Sequence, residues 1–332
     1  MFLASLVCFV GLFLFSEIQA KSTYNPEETL FAVTRCMEEA SKASPNKVDL
    51  VQKWAKAQLE KNPETQAYVR CTVVLQGIFD PVSKTYHMEN FQNQWKRYEK
   101  YDKLGLTQTA IDELVKDAQS EGTLEGDSDF NPEPVFSSYM KLMEKHKTTL
   151  LNLYHVNRTY ENMVYDALGR KLKQKNETLY EHCFNLYYPE SKAELRKQEC
   201  VKNSSLVKDD ANLEEYSFCN FHGYRYINNN YDINVEEFAR DFTLAGLPED
   251  EIRQAVGTCI ANEPKSVADH QRSRYLYKCL MADAAVVEDF KKSIKYRQLR
   301  SVDYKYLLNG GTYDEAVVKQ ESDKVKARLC GE

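Results

Sequence analysis

Residues 25–38, NPEETLFAVTRCME, and 63–71, PETQAYVRC, decide the fold. In the first, Asn25 stands as an N-cap. Pro26 takes the first helical position, where a missing N–H is harmless, and Glu28 falls at N3 ahead of Leu30, Phe31 and Val33. In the second, Pro63 opens a helix that carries Tyr68 and Cys71 and stops near Gly77. Each helix holds one cysteine, Cys36 or Cys71. Between them Val51, Trp54 and Leu59 suit a further helix, so the cysteines sit on the first and third helices of a small all-α unit.

Working outward, the helical signals continue. Phe91, Trp95 and Tyr98 recur at i, i+4 and i+7, and Ile111, Leu114, Val115 and Ala118 mark another apolar stripe. Gly122 to Pro134 (GTLEGDSDFNPEP) is the clearest break, and Val135 to about Lys175 reads as a cysteine-free helical connection. The second half repeats the style. A helix bears Cys183, Tyr188-Pro189 breaks it, and helices are predicted over 195–201, 213–227, 235–242, 250–261, 267–290 and 313–329. No stretch alternates as a strand would. The predicted fold is all-α, in two helical domains.

An apolar run, Leu6–Phe15, followed by Ile18-Gln19-Ala20, reads as a secretory leader over 1–20, too short for a bilayer span. Its removal takes Cys8 and leaves eight cysteines, and takes Glu17, moving the formal charge from −6 to −5. An even cysteine count behind a leader reads as a disulfide framework, with one clip in the first half and three in the second. Domains are expected over 21–175, with the connection, and over 176–332. Residues alone leave 105 pairings open for eight cysteines. Mild acidity argues against a nucleic-acid partner, and no segment after the leader is apolar enough for a membrane anchor. The 22 tyrosines suit both cores and small-molecule pockets.

No catalytic motif emerges, and no metal is expected. His182-Cys183 and Cys219-x-x-His222 would need thiolates that the secretory route oxidises. Asp127-x-Asp129-x-Asn131 starts like a calcium loop, but Pro132 and Ser138 occupy the positions that need glycine and glutamate. Three N-glycosylation sequons begin at Asn157, Asn176 and Asn203.

Cysteines on helices one and three resemble the odorant-binding-protein architecture. In order along the chain, Asn25-Pro26-Glu27-Glu28, Thr34-Arg35-Cys36-Met37-Glu38, Pro45-Asn46, Lys53-Trp54, Gly77-Ile78-Phe79-Asp80-Pro81-Val82, Tyr187-Tyr188-Pro189, Tyr277-Lys278-Cys279-Leu280 and Asp289-Phe290-Lys291 resemble the long-form D7 salivary proteins of blood-feeding mosquitoes. The resemblance covers essentially the whole mature chain.

The resemblance implies two fused odorant-binding-like domains, secretion into saliva, and a monomer that traps small host mediators without catalysis or a cofactor. It implies the pairings Cys36–Cys71, Cys183–Cys219, Cys200–Cys330 and Cys259–Cys279. It also implies an eicosanoid, a cysteinyl leukotriene or thromboxane-like molecule, in the N-terminal domain. The residues it places there are Trp54, Tyr68 and Phe79, with Gly169, Lys173 and Lys175 near the lipid's polar end.

One departure is a missing second disulfide: Ala67 stands where the family carries a cysteine, and the partner is absent from the 122–136 loop. The C-terminal domain of the family takes biogenic amines. Here Asp289 and Tyr277 are kept, but Lys292 replaces an acid, and Asn203 and Tyr216 replace an arginine and a histidine. Amine capture is therefore expected to be weak. A third reading is an adenine-nucleotide site (ADP or ATP) at an interdomain basic patch near Tyr139, Lys145, Lys147 and Arg274. A fourth is a surface-acting inhibitor of a host clotting or immune protein.

Overall fold

The computed structural model describes residues 26–98, 106–155, 166–167, 169–174, 176–201, 212–302, 305–308 and 311–331. The leader, Asn25, Lys175, and the sequons at Asn157 and Asn203 lie outside the described residues. Two compact units divide the chain, Met1–Ala167 and Leu168–Glu332. That division falls ahead of the expected break after 175, so Gly169 and Lys173 belong to the C-terminal unit.

The N-terminal unit comprises α1 (Pro26–Ser41), α2 (Lys47–Trp54), α3 (Pro63–Leu75), α4 (Met88–Tyr98), α5 (Gln108–Ser120) and α6 (Glu133–Leu150). Helix α3 begins where sequence chemistry puts it: Asn62 Oδ1 accepts from Thr65 N at 2.7 Å, with Pro63 at the first position. It ends at Gly77, whose φ of 65° is the left-handed conformation that glycine adopts without strain. α1 and α6 both pack on α3, and α5 packs on α4 and α6. Cys36–Cys71 ties α1 to α3.

Two short elements were not foreseen. Phe79–Asp80 (β1) pairs antiparallel with Thr85–Tyr86 (β2), and Asp80 closes their turn by accepting from Val82 N and Ser83 N. The expected helical connection is also not one helix. α6 kinks at His146 (φ −119°, ψ 26°) and passes into a π-helical turn, Leu151–His155.

The C-terminal unit holds a 3-10 turn, Gly169–Lys171, and then α7 (Leu179–Tyr187), α8 (Ala193–Val201), α9 (Leu213–Gly223), α10 (Val235–Leu244) and α11 (Glu249–Ala261). These are followed by α12 (Arg272–Ala282), α13 (Val287–Arg300), α14 (Lys305–Leu308) and α15 (Glu315–Cys330). The span 267–290, expected as one helix, is broken. Asp283 holds the interruption between α12 and α13, its Oδ1 accepting from Ala285 N at 2.9 Å. Thr178 and Glu181 form a reciprocal capping box at α7.

Cys183–Cys219, Cys200–Cys330 and Cys259–Cys279 join α7 to α9, α8 to α15, and α11 to α12, so all four pairings implied by the resemblance are present. Cys200–Cys330 spans 130 residues, a closure that constrains the unfolded chain by about 4–5 kcal/mol in the loop-entropy model. No helix among the described residues is long and apolar enough to cross a membrane.

Candidate functional site

The interior of the N-terminal unit is walled by rings. Trp54, at the end of α2, lies flat on Tyr68 of α3, centroids 4.5 Å apart and planes at 5°, and its indole N–H donates to Thr65 Oγ1 at 3.0 Å. Across the hairpin Phe79 meets Tyr86 edge-on at 5.8 Å. Phe91 follows at 6.4 Å from Tyr86, and Tyr154 at 6.1 Å from Phe91. All six side chains are buried, which the 3.6-residue spacing on α3 and α4 and the inward face of β2 produce.

The wall also carries hydroxyls. Tyr86 donates to Ser138 Oγ at 3.1 Å, and the Tyr154 phenol reaches Asn90 O at 3.4 Å. Tyr139, expected on a basic face, is instead buried at 1% exposure, because on α6 it faces the interior. Burial pushes its phenol well above the usual range, and the neighbouring Tyr68, Tyr86 and Tyr154 add to the shift. Tyr68, Tyr86, Tyr139 and Tyr154 are thus buried electrostatic neighbours in this unit. Neither Tyr86 nor Tyr154 carries a signal in the sequence, and Phe91 stands out there only as part of a helical stripe.

The other expected residues are dispersed. Lys173 is buried in the C-terminal unit, where its ammonium donates to the carbonyls of Gln174 and Glu177, each at 3.2 Å. Gly169 opens the 3-10 turn at φ 54°. Lys145 and Lys147 are exposed on α6, and Lys145 pairs with Asp117 at 3.3 Å. Arg274, on α12, pairs with Glu214 at 3.5 Å.

In the C-terminal unit Tyr216 is buried in a box of rings. It meets Tyr180, Phe184 and Tyr188 edge-on at 6.3, 6.4 and 5.3 Å. Burial pushes the Tyr180 phenol up to about 12, and buried Glu199 adds to the shift of both Tyr180 and Tyr216. Tyr277 is half-buried between Phe221 and Phe290, each at 6.2 Å. Asp289 and Lys292, one turn apart on α13, form an ion pair at 3.4 Å. The Asp289 carboxylate raises the Lys292 pKa. No group of three or more His, Cys, Asp or Glu among the described residues could hold a metal ion.

Two disulfide-stapled helical units with ring-lined interiors define a binding protein of the odorant-binding class, and the PBP/GOBP family model matches residues 166–283. The long form salivary protein D7L1 of Aedes aegypti is 30% identical over 319 residues, covering 95% of this chain and 96% of that one. The D7L1 protein of Anopheles atroparvus is 30% identical over 321 residues, with 94% of each covered. The chain belongs to the family of long-form D7 salivary proteins. Among solved structures, the AeD7–leukotriene E4 complex matches with a TM-score of 0.77 at 30% identity, over 88% of this chain and 95% of that one. AnSt-D7L1 shares the fold, at a TM-score of 0.73 and 23% identity, over 91% and 96%.

Proposed function

We propose that this protein is a salivary trap for small host mediators and that its N-terminal unit takes an eicosanoid. The observation that carries this reading is the wall of rings from Trp54 to Tyr154 with tyrosine hydroxyls set into it. An eicosanoid is a long apolar chain with a few oxygens, and each methylene removed from water contributes about 0.8 kcal/mol. Rings supply that apolar surface, while inward hydroxyls orient the oxygens. A solved structure at 30% identity, the AeD7–leukotriene E4 complex, supports the same class.

The other readings have less behind them. A nucleotide patch loses Tyr139 to the core, and Lys145 and Arg274 are each matched by a carboxylate. In the C-terminal unit an amine would have to displace Lys292 from Asp289. Calorimetric titration with leukotriene E4, ADP and serotonin tests the ranking. One-to-one heat with leukotriene E4 and little with the other two is expected. Absence of heat with leukotriene E4 would overturn it.

A further inference from the structure

Two buried carboxamides in the N-terminal unit are only half used. Gln76, which caps the C-terminus of α3, is 2% exposed, and Gln94 of α4 is 1% exposed. Gln76 Nε2 donates to the carbonyl of Tyr154 at 3.4 Å, and Gln94 Nε2 donates to that of Leu153 at 3.1 Å. These are consecutive carbonyls of the π-helical turn Leu151–His155, so both amide heads lie against one turn.

The contacts fix each amide's orientation: turned the other way, it would face one carbonyl oxygen with another. The two Oε1 atoms therefore point away from the turn. Neither meets a hydrogen-bond donor. Native interiors leave few buried acceptors in this state, and each such case calls for a physical cause. A kinked α6 running into a π-turn is also where backbone geometry departs from the regular helix, as it often does at functional positions.

The surroundings set the chemistry of the missing donor. Tyr154, whose carbonyl Gln76 grips, presents its ring to Phe91, and Phe91 shares the i, i+3 face of α4 with Gln94. A carboxylate offers no donor to an amide oxygen. An ammonium would be buried without a charge to offset it, since a carboxamide is neutral. The match is a neutral O–H carried on an apolar chain.

We propose that Gln76 and Gln94 are the hydroxyl-reading pair of the N-terminal site, their Oε1 atoms accepting from the hydroxyls of an oxygenated long-chain fatty acid. This rests on the eicosanoid reading above and adds to it a determinant of which eicosanoids are held.

The test is a calorimetric panel on the full-length protein: arachidonic acid against the monohydroxy eicosatetraenoic acids, with the hydroxyl moved along the chain. At least one regioisomer is expected to bind about tenfold more tightly than arachidonic acid, the effect of one added hydrogen bond. Gln76→Leu and Gln94→Leu should flatten that preference, so that within each variant the hydroxy acids bind no more tightly than arachidonic acid. Equal affinities across the wild-type panel would overturn the pair, and would point to an ordered water as the donor. A preference that survives both substitutions would also overturn it. Should neither arachidonic acid nor any hydroxy acid bind, the eicosanoid reading itself fails and takes the pair with it. Should a leucine variant fail to fold, Gln76→Met and Gln94→Met carry the same comparison, and equal affinities across the wild-type panel overturn the pair in either case.

Discussion

Arg70 on α3 grips Asp127 in the 122–134 loop with two hydrogen bonds, Nε to Oδ1 at 2.8 Å and Nη2 to Oδ2 at 3.0 Å, and also bonds Asp129. Arg70 and Asp127 are both buried, at 9% and 4% exposure. The pair sits one helical turn from Ala67, where resemblance to the family places a cysteine linked to the same loop. Where that resemblance implies a covalent tie, this fold holds the loop by charge. Removing one partner of a buried pair leaves the other uncompensated, at about 3–5 kcal/mol, whereas replacing both with apolar groups of similar volume is far milder. Arg70→Ala or Asp127→Ala should therefore destabilise the N-terminal unit by about that much, and Arg70→Met with Asp127→Leu should recover most of it. Trp54 and Trp95 are the chain's 2 tryptophans, so urea unfolding followed by tryptophan fluorescence reads this unit alone. Single variants that unfold at the wild-type midpoint would refute the clamp.

Much of the fold was legible because helix starts are local. Pro63 behind Asn62 and the disulfide-bearing helices needed only a few neighbouring residues to read. Helix breaks were harder. The apolar pattern of 135–175 runs on past the kink at His146, and that of 267–290 runs past Asp283, so periodicity alone saw single helices. Long-range polar partners were not legible. Nothing near Asp241 in sequence announces Arg300, 59 residues away, nor Gln76 the carbonyl of Tyr154, 78 away. For the sites, the direction in which a side chain points was not legible. Tyr139 was placed outward when α6 turns it in, and Lys173 lies in the C-terminal unit with its ammonium on backbone carbonyls.

Asp241 supplies a second stability test. It is fully buried, accepts from Tyr226 Oη and Arg300 Nη1, each at 2.7 Å, and faces Arg297 Nε at 3.5 Å. Asp241→Ala would bury two guanidinium groups beside a lost carboxylate, so the C-terminal unit should lose about 3–5 kcal/mol. Near-ultraviolet tyrosine dichroism should show a part of the transition moving to lower urea, while tryptophan fluorescence, which reads the N-terminal unit, stays at the wild-type midpoint. An unchanged transition would mean that the arginines have other anions to meet.

Acid should loosen the start of α7. Burial alone would raise the Glu177 pKa, but hydrogen bonds from His182, Gln174 N and Asn185 outweigh it and hold the carboxyl below its ordinary value. A carboxyl with a depressed folded pKa adds stability above its unfolded value, about 4.3, and that stability disappears as pH falls through the folded value. Thermal melts should drop between about pH 5 and pH 3, and Glu177→Gln should be less stable at neutral pH but lose less over that window. Parallel pH profiles for the two proteins would rule Glu177 out as a contributor.

Lys292 offers the sharpest test of the C-terminal unit. Its ammonium sits 3.4 Å from Asp289, the position an amine ligand's own ammonium would need. Ligand and lysine therefore compete for one carboxylate, and the loser is a cation left beside another. Lys292→Glu removes the competitor and places a second acceptor one turn along the same face of α13, since residues i and i+3 are neighbours. An added charged acceptor for a cationic ligand corresponds to roughly a ten- to hundredfold gain in affinity. Serotonin titrations of the two proteins should show weak heat with the wild type and clear saturation with Lys292→Glu. Adding Asp289→Asn should abolish the gain. Tight serotonin binding by the wild type would show that Lys292 swings aside at little cost, and the ion pair would then be a resting contact rather than a block.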